Sequence, residues 1–117
     1  MSNCCSYDLV EWGRPFARRE RSRPEIPAKA VWVKITAAGL CHSDLHIKKG
    51  FMDLGQKGKL TFTQRGAVLP LTLGHEIAGI VEEVGSDVKT VQTGQQVVVF
   101  PWIGCGSCLA CSEDRES

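Results

Sequence analysis

Several things are missing from this 117-residue chain. Nowhere do eighteen apolar residues run together, so no segment reads as a membrane-spanning helix. The start, Met1-Ser2-Asn3-Cys4-Cys5, lacks the basic-then-apolar layout of a secretory signal, and a cytoplasmic location is the expectation. Net charge is nearly absent, because 14 basic side chains against 13 acidic ones give +1 at neutral pH. That balance gives no reason to expect nucleic acid or an anionic membrane as the main partner. Arginines gather between Arg14 and Arg23, but Glu11, Glu20 and Glu25 are interleaved with them. The cluster reads as a solvated strand pair of mixed charge. No internal repeat, low-complexity tract or linker divides the chain.

What is present is ordinary for a globular protein: 43 % apolar and 23 % charged residues exclude a disordered, collagen-like or coiled-coil chain. The length allows one domain, residues 1–117, and predicts burial of roughly 60 to 70 % of the extended chain's surface around a real core. The six cysteines are the unusual feature. In a cytosolic chain they point to metal binding or catalysis before a disulfide framework.

The first 28 residues place Pro15, Pro24 and Pro27 among short apolar pieces, as an edge strand or hairpin does. Val31, Val33, Ile35 and Ala37 alternate with Trp32, Lys34, Thr36 and Ala38, which predicts a half-buried strand. A short helix through Leu45, His46 and Ile47 follows, with Ser43 or Asp44 as its cap. Residues 50–70 hold Gly50, Gly55, Gly58, Gly66 and Pro70 without clear periodicity and read as a long connection. Its apolar groups Phe51, Met52, Leu54, Leu60 and Phe62 are numerous enough to line a substrate channel or a subunit contact. Ile77 to Val84 reads as a strand in which Gly79 marks a bulge or a close backbone contact. Gln95 to Phe100 reads as a short buried strand, and a glycine- and cysteine-rich loop follows. The sum is a mainly β fold with short helices, a small partly open barrel.

Two groups of residues carry chemistry. Cys105, Cys108 and Cys111 are spaced Cys-x2-Cys-x2-Cys, and thiolates so spaced can converge on one ion at about 2.3 Å. A closed zinc site needs a fourth ligand, and Ser112 to Ser117 offers neither cysteine nor histidine, so a longer parent is the expectation. Three free surface thiols or an iron–sulfur centre are the alternatives. Cys41, His42 and His46 lie at the end of the predicted strand, and His75 with Glu76 follows the long connection. One cysteine and one histidine at an open metal site is how catalytic zinc is often held, with a further ligand from elsewhere.

Three strings together resemble the zinc-dependent alcohol dehydrogenases of the medium-chain dehydrogenase/reductase superfamily. They are Ala38-Gly39-Leu40-Cys41-His42-Ser43-Asp44-Leu45-His46, Leu69-Pro70-Leu71-Thr72-Leu73-Gly74-His75-Glu76-Ile77-Ala78-Gly79, and Gly104-Cys105-x2-Cys108-x2-Cys111. The resemblance covers essentially the whole chain but only the N-terminal, GroES-like part of the family's catalytic domain. It implies that Cys41 and His75 hold a catalytic zinc and that Cys105, Cys108 and Cys111 hold a structural one. It further implies that Glu76 approaches the catalytic metal during ligand exchange and that Asp44 orients the zinc-bound imidazole. Ser43 and His46 then relay the alcohol proton to solvent, and His42 lies beside the cofactor pyrophosphate.

The implied activity is oxidation of small alcohols to aldehydes or ketones with NAD or NADP, through a zinc-bound alkoxide, in a homodimer or homotetramer. No Rossmann fingerprint is present: Gly104-Cys105-Gly106 is the nearest approach to Gly-x-Gly-x-x-Gly, and Leu109 stands at its last position. The expectation is therefore a fragment that is inactive alone. Within the superfamily the alternative is a polyol, sugar or formaldehyde dehydrogenase. Outside it, the alternative is a non-catalytic GroES-like or zinc-binding module.

Overall fold

The alternation that begins at Val31 is realised as a nine-residue strand in the computed structural model, which describes residues 3–115. This strand, β3 (Val31–Gly39), pairs antiparallel with β7 (Glu76–Val84), which pairs in turn with β8 (Gln96–Val99). A second sheet has β1 (Asn3–Leu9) at its centre, flanked by β2 (Ala17–Ser22) and the two-residue β6 (Leu71–Thr72). The proline-containing N-terminal segment is thus the hairpin its composition predicts, with Asp8 opposite Ala17 and Asn3 opposite Ser22. Neither three-stranded sheet closes on itself, as expected for a partly open barrel.

Gly79 has the close contact expected of it. A Cβ there would overlap the Lys34 carbonyl oxygen and lie 2.6 Å from Val33 Cγ1. Opposite it the β3–β7 register shifts between Ile35 and Ala37, and Thr36 Oγ1 donates to the Ala78 carbonyl at 3.3 Å. Glycine here lets the bulged strand lie flat on its neighbour.

Three expectations need correction. The helix α1 (His42–Lys49) starts before the predicted cap, with Cys41 in extended backbone at the capping position. Asp44 sits inside the helix and reaches back to accept from Cys41 N at 3.3 Å, so the carboxylate stabilises the first turn from within. Gly50 ends the helix at φ 87°, its N–H bonding the carbonyls of His46 and Ile47. Residues 50–70 are also not one irregular connection. They fold into a hairpin of β4 (Phe51–Asp53) and β5 (Lys59–Thr61) with two turns of 3-10 helix. Strands of three residues are too short for alternation to show. The cysteine-rich loop after β8 includes a single helical turn, α2 (Leu109–Ser112).

The third correction concerns the core. Leu9 and Val81 are the fully buried apolar side chains among the described residues. The surface is 9033 Å², against about 6,300 Å² for a compact monomer of this mass. The radius of gyration is 16.8 Å, where about 13 Å is usual for this length. Sheets without a second layer explain the excess, since Ile35 on β3 and Val98 on β8 are exposed, as is Phe100 just beyond β8. No helix of the described residues is long and apolar enough to cross a membrane.

Asp8 compensates locally. Fully buried, it accepts from Thr72 Oγ1 on β6 and from Arg21 Nη2 on β2, each at 2.6 Å, and Arg19 Nη1 lies 3.8 Å away. The arginine cluster is therefore a paired strand face, as read from its interleaved charges, and Arg18 meets Glu20 at 2.8 Å. The hydrogen bond from Thr72, followed by that from Arg21, holds the Asp8 carboxyl at about 2. A depressed carboxylate contributes stability that is present above its unfolded value of about 3.9 and is lost as pH falls toward 2. Asp8→Asn should therefore lower the urea midpoint at pH 7, and the difference from wild type should shrink between pH 4 and pH 2. Equal midpoints at pH 7 would show that the buried pair does not hold β1 between its neighbours.

Candidate metal centres

The end of the β3–β7 ladder sets the first centre. Gly39 and Glu76 are Cα partners there, so Cys41, just past β3, and His75, just before β7, are brought side by side. Cys41, His75 and Glu76 place one donor atom each within 4.8 Å of one another. His75 Nδ1 lies 3.3 Å from Asp44 Oδ1, which leaves Nε2 to face Cys41 and Ser43. The carboxylate beside Nδ1 aims the ring. The same carboxylate accepts from Gly74 N and Cys41 N, each at 3.3 Å. Asp44 is buried, and its position joins the two segments that carry the donors.

Ser43 Oγ is 2.9 Å from Cys41 Sγ and 3.5 Å from His75 Nε2. The Ser43 hydroxyl first, then its backbone N–H and His75, lower the Cys41 pKa. The hydrogen bond with Cys41, reinforced by the Asp44 and Glu76 charges, raises that of His75. Thiolate, imidazole and carboxylate around one point form a donor set that suits zinc, and the three converge closely enough for small rotations to close them on an ion. A cavity of about 290 Å³ opens beside them, lined by Ser43, Ile47, His75, Pro101 and Trp102.

His46 does not touch Ser43. Among the described residues no hydrogen bond joins the two, and the His46 ring stacks instead on His42, with centroids 4.6 Å apart. His42 is exposed and His46 half-buried. The apolar groups of residues 50–70 do not line the cavity. The hairpin that carries them stacks beside α1, with Phe62 N donating to the Gly50 carbonyl. Ile47, Pro101 and Trp102 are the lining residues that the sequence reading passed over. The one available signal was Pro101-Trp102, directly after β8; that strand reads as buried in the sequence, but Val98 on it is exposed because nothing among the described residues covers its outer face.

The second centre is the cysteine loop. Cys111 Sγ lies 3.8 Å from Cys105 Sγ and 3.5 Å from Cys108 Sγ. Thiolates at about 2.3 Å from a shared zinc would lie about 3.8 Å apart, so the spacing already fits a tetrahedral edge. All six cysteines are free, and no fourth ligand joins these three among the described residues. Donors from Ser107, its backbone N–H first, and then the Cys108 N–H pull the Cys105 thiol down to about 6. Cys108 N approaches Cys105 Sγ at 3.3 Å. Such hydrogen bonding stabilises a thiolate as a metal would. In metal-free protein, iodoacetamide labelling of Cys105, followed by mass spectrometry, should rise with pH about a midpoint near 6. Ser107→Ala should move that midpoint upward, whereas a wild-type midpoint near the ordinary value of about 8.5 would contradict the donor geometry.

A family profile described as alcohol dehydrogenase GroES-like domain matches residues 27–117. An NAD-dependent alcohol dehydrogenase of Saccharolobus solfataricus is 43 % identical over 109 residues, 92 % of this chain and 30 % of that protein. Among solved structures, an alcohol dehydrogenase of Aeropyrum pernix is 31 % identical with a TM-score of 0.76, covering 94 % of this chain and 30 % of that one. An Escherichia coli alcohol dehydrogenase complexed with NADH is 29 % identical with a TM-score of 0.77, covering 99 % of this chain and 30 % of that one. The chain thus spans about 30 % of the length of the relatives it matches.

Proposed function

The chain belongs to the family of alcohol dehydrogenase GroES-like domains, and from that membership we propose that it carries the metal-binding and proton-relay part of a zinc- and NAD(P)-dependent alcohol dehydrogenase. The observation that carries the reading is the convergence of Cys41, His75 and Glu76, with Asp44 on the far nitrogen of the imidazole. When bound, zinc supplies a Lewis acid that makes an alcohol hydroxyl acidic near neutral pH, and NAD or NADP supplies the hydride acceptor. The residues of this chain do the rest. Cys41 and His75 hold the metal, and Asp44 keeps His75 Nε2 directed at it.

Ser43 Oγ lies at the mouth of the cavity and is placed to take the proton of a hydroxyl seated beside His75. His46 follows three residues later on the same face of α1. Its imidazole can pass the proton on to water, and a bridging hydroxyl or water spans the gap between the two. His42, exposed and stacked on the His46 ring, meets the cofactor phosphates in this reading. Ile47, Pro101 and Trp102 make the cavity wall apolar, which favours small apolar alcohols over polyols or sugars. Six free thiols support a reducing, cytoplasmic setting. Apolar side chains left in solvent, such as Ile103 and Leu109, favour association of copies into a dimer or tetramer.

In the full-length protein, Cys41→Ala or His75→Ala should abolish alcohol oxidation with little change in far-UV circular dichroism. Either variant retaining more than about a hundredth of wild-type kcat would refute the ligand assignment. His46→Gln should be milder, costing about 10- to 100-fold and altering the pH profile, because water replaces part of a relay. An unaltered profile would remove His46 from the proton path.

A further inference from the structure

Gly39 has no conformational need to be glycine. It lies in a strand, outside the left-handed region that eight other glycines of the chain occupy. What singles it out is its partner across the ladder, Glu76. A Cβ at position 39 would overlap Glu76 Oε2 and stand 3.0 Å from Glu76 Cβ and 3.3 Å from its Cδ. The carboxylate therefore lies folded over the bare Cα of Gly39, in the volume that any other residue there would fill. From that position it comes within 4.8 Å of the Cys41 and His75 donors.

We propose that Gly39 is a positioning residue: the slot above its Cα is what allows the Glu76 carboxylate to join Cys41 and His75 at the metal. The inference rests on the reading of Cys41 and His75 as a zinc site. A negative oxygen donor near the ion adds both a ligand and charge to a pair of donors that is otherwise open. A methyl group at position 39 displaces it. The group in the way is chiefly the far end of a flexible side chain, so Gly39→Ala is absorbed by rotation of Glu76 while the strand pairing remains.

The test is zinc affinity, read on the full-length protein by competition with a chromophoric chelator and followed for the equivalent that Cys41→Ser removes. Gly39→Ala should weaken that equivalent about 10- to 100-fold, the range seen when a supporting group near a metal is lost. It should also alter the visible absorption of the cobalt-substituted protein. Glu76→Ala should lose as much, and the double variant Gly39→Ala/Glu76→Ala should lose no more than Glu76→Ala alone, because the two act on one carboxylate. Wild-type affinity in Gly39→Ala, or losses that add in the double variant, would overturn the proposal. If Gly39→Ala does not fold, Glu76→Asp draws the carboxylate back by one methylene and must show the same loss. Wild-type affinity in Glu76→Asp would equally overturn the proposal. Should Cys41→Ser leave zinc binding intact, the zinc reading itself fails. Loss with Cys41→Ser beside an unchanged Gly39→Ala refutes the role of Gly39 alone.

Discussion

Asp44 is nearly sealed from water, and a carboxylate so placed must be met by donors. The donors are Cys41 N and Gly74 N, with His75 Nδ1 in ionic contact at 3.3 Å, and they come from two loops about thirty residues apart in sequence. The same group completes the first turn of α1, holds the turn before β7 and lies against the imidazole of His75. Removing it would take the hydrogen-bond acceptor from Cys41 N and Gly74 N and the ionic partner from His75 at once. The metal donors are therefore fixed less by their own contacts than by the one anion behind them. The chain can thus build a defined site on two loops without a large core beneath it.

The rest of the framework serves that junction. β3 and β7 end together at Gly39 and Glu76, and this register puts Cys41 opposite His75. From the other side, β6 carries Thr72 into the Asp8 hydrogen bond and so ties the N-terminal hairpin to the segment just before Gly74. Two buried aspartates, one in each sheet region, thus hold the loop that bears His75. Burial of apolar surface contributes little here, since Leu9 and Val81 are the fully buried apolar side chains among the described residues. Where hydrophobic burial is thin, charge-assisted hydrogen bonds take a larger share in fixing geometry. At Asp8 they also make that geometry sensitive to acid.

Much of this was legible in the residues. Strand alternation located β3 and β7, and the spacing of Cys105, Cys108 and Cys111 named the second centre before any coordinates. The motif strings named Cys41, His75 and Asp44. What the sequence concealed had physical reasons. The β4–β5 hairpin is too short for periodicity, and the start of α1 was misplaced because its stabilising group lies inside the helix, at Asp44, and not at the cap. The missing core could not be read at all, because composition counts apolar residues and says nothing of what covers them. At Gly39, only the position of the Glu76 side chain shows why a larger residue would intrude.

The two centres also differ in a way that follows from what each must do. In the cysteine loop the sulfurs already stand 3.5 and 3.8 Å apart, close to the edge of a zinc tetrahedron, and Cys105 is held near a thiolate by the loop's own N–H groups. A site shaped in advance loses little on taking up its ion and holds it rigidly, as suits a structural role. At Cys41 and His75 a hydroxyl stands between the donors and a cavity opens at their edge. A site that must admit a substrate oxygen cannot be filled by protein ligands, so part of its coordination has to stay available. Glu76, lying in a slot and not locked by a hydrogen bond among the described residues, can approach the ion or withdraw from it without disturbing Cys41 or His75. Rigid support behind the imidazole and loose support beside the carboxylate are what exchange at a metal requires.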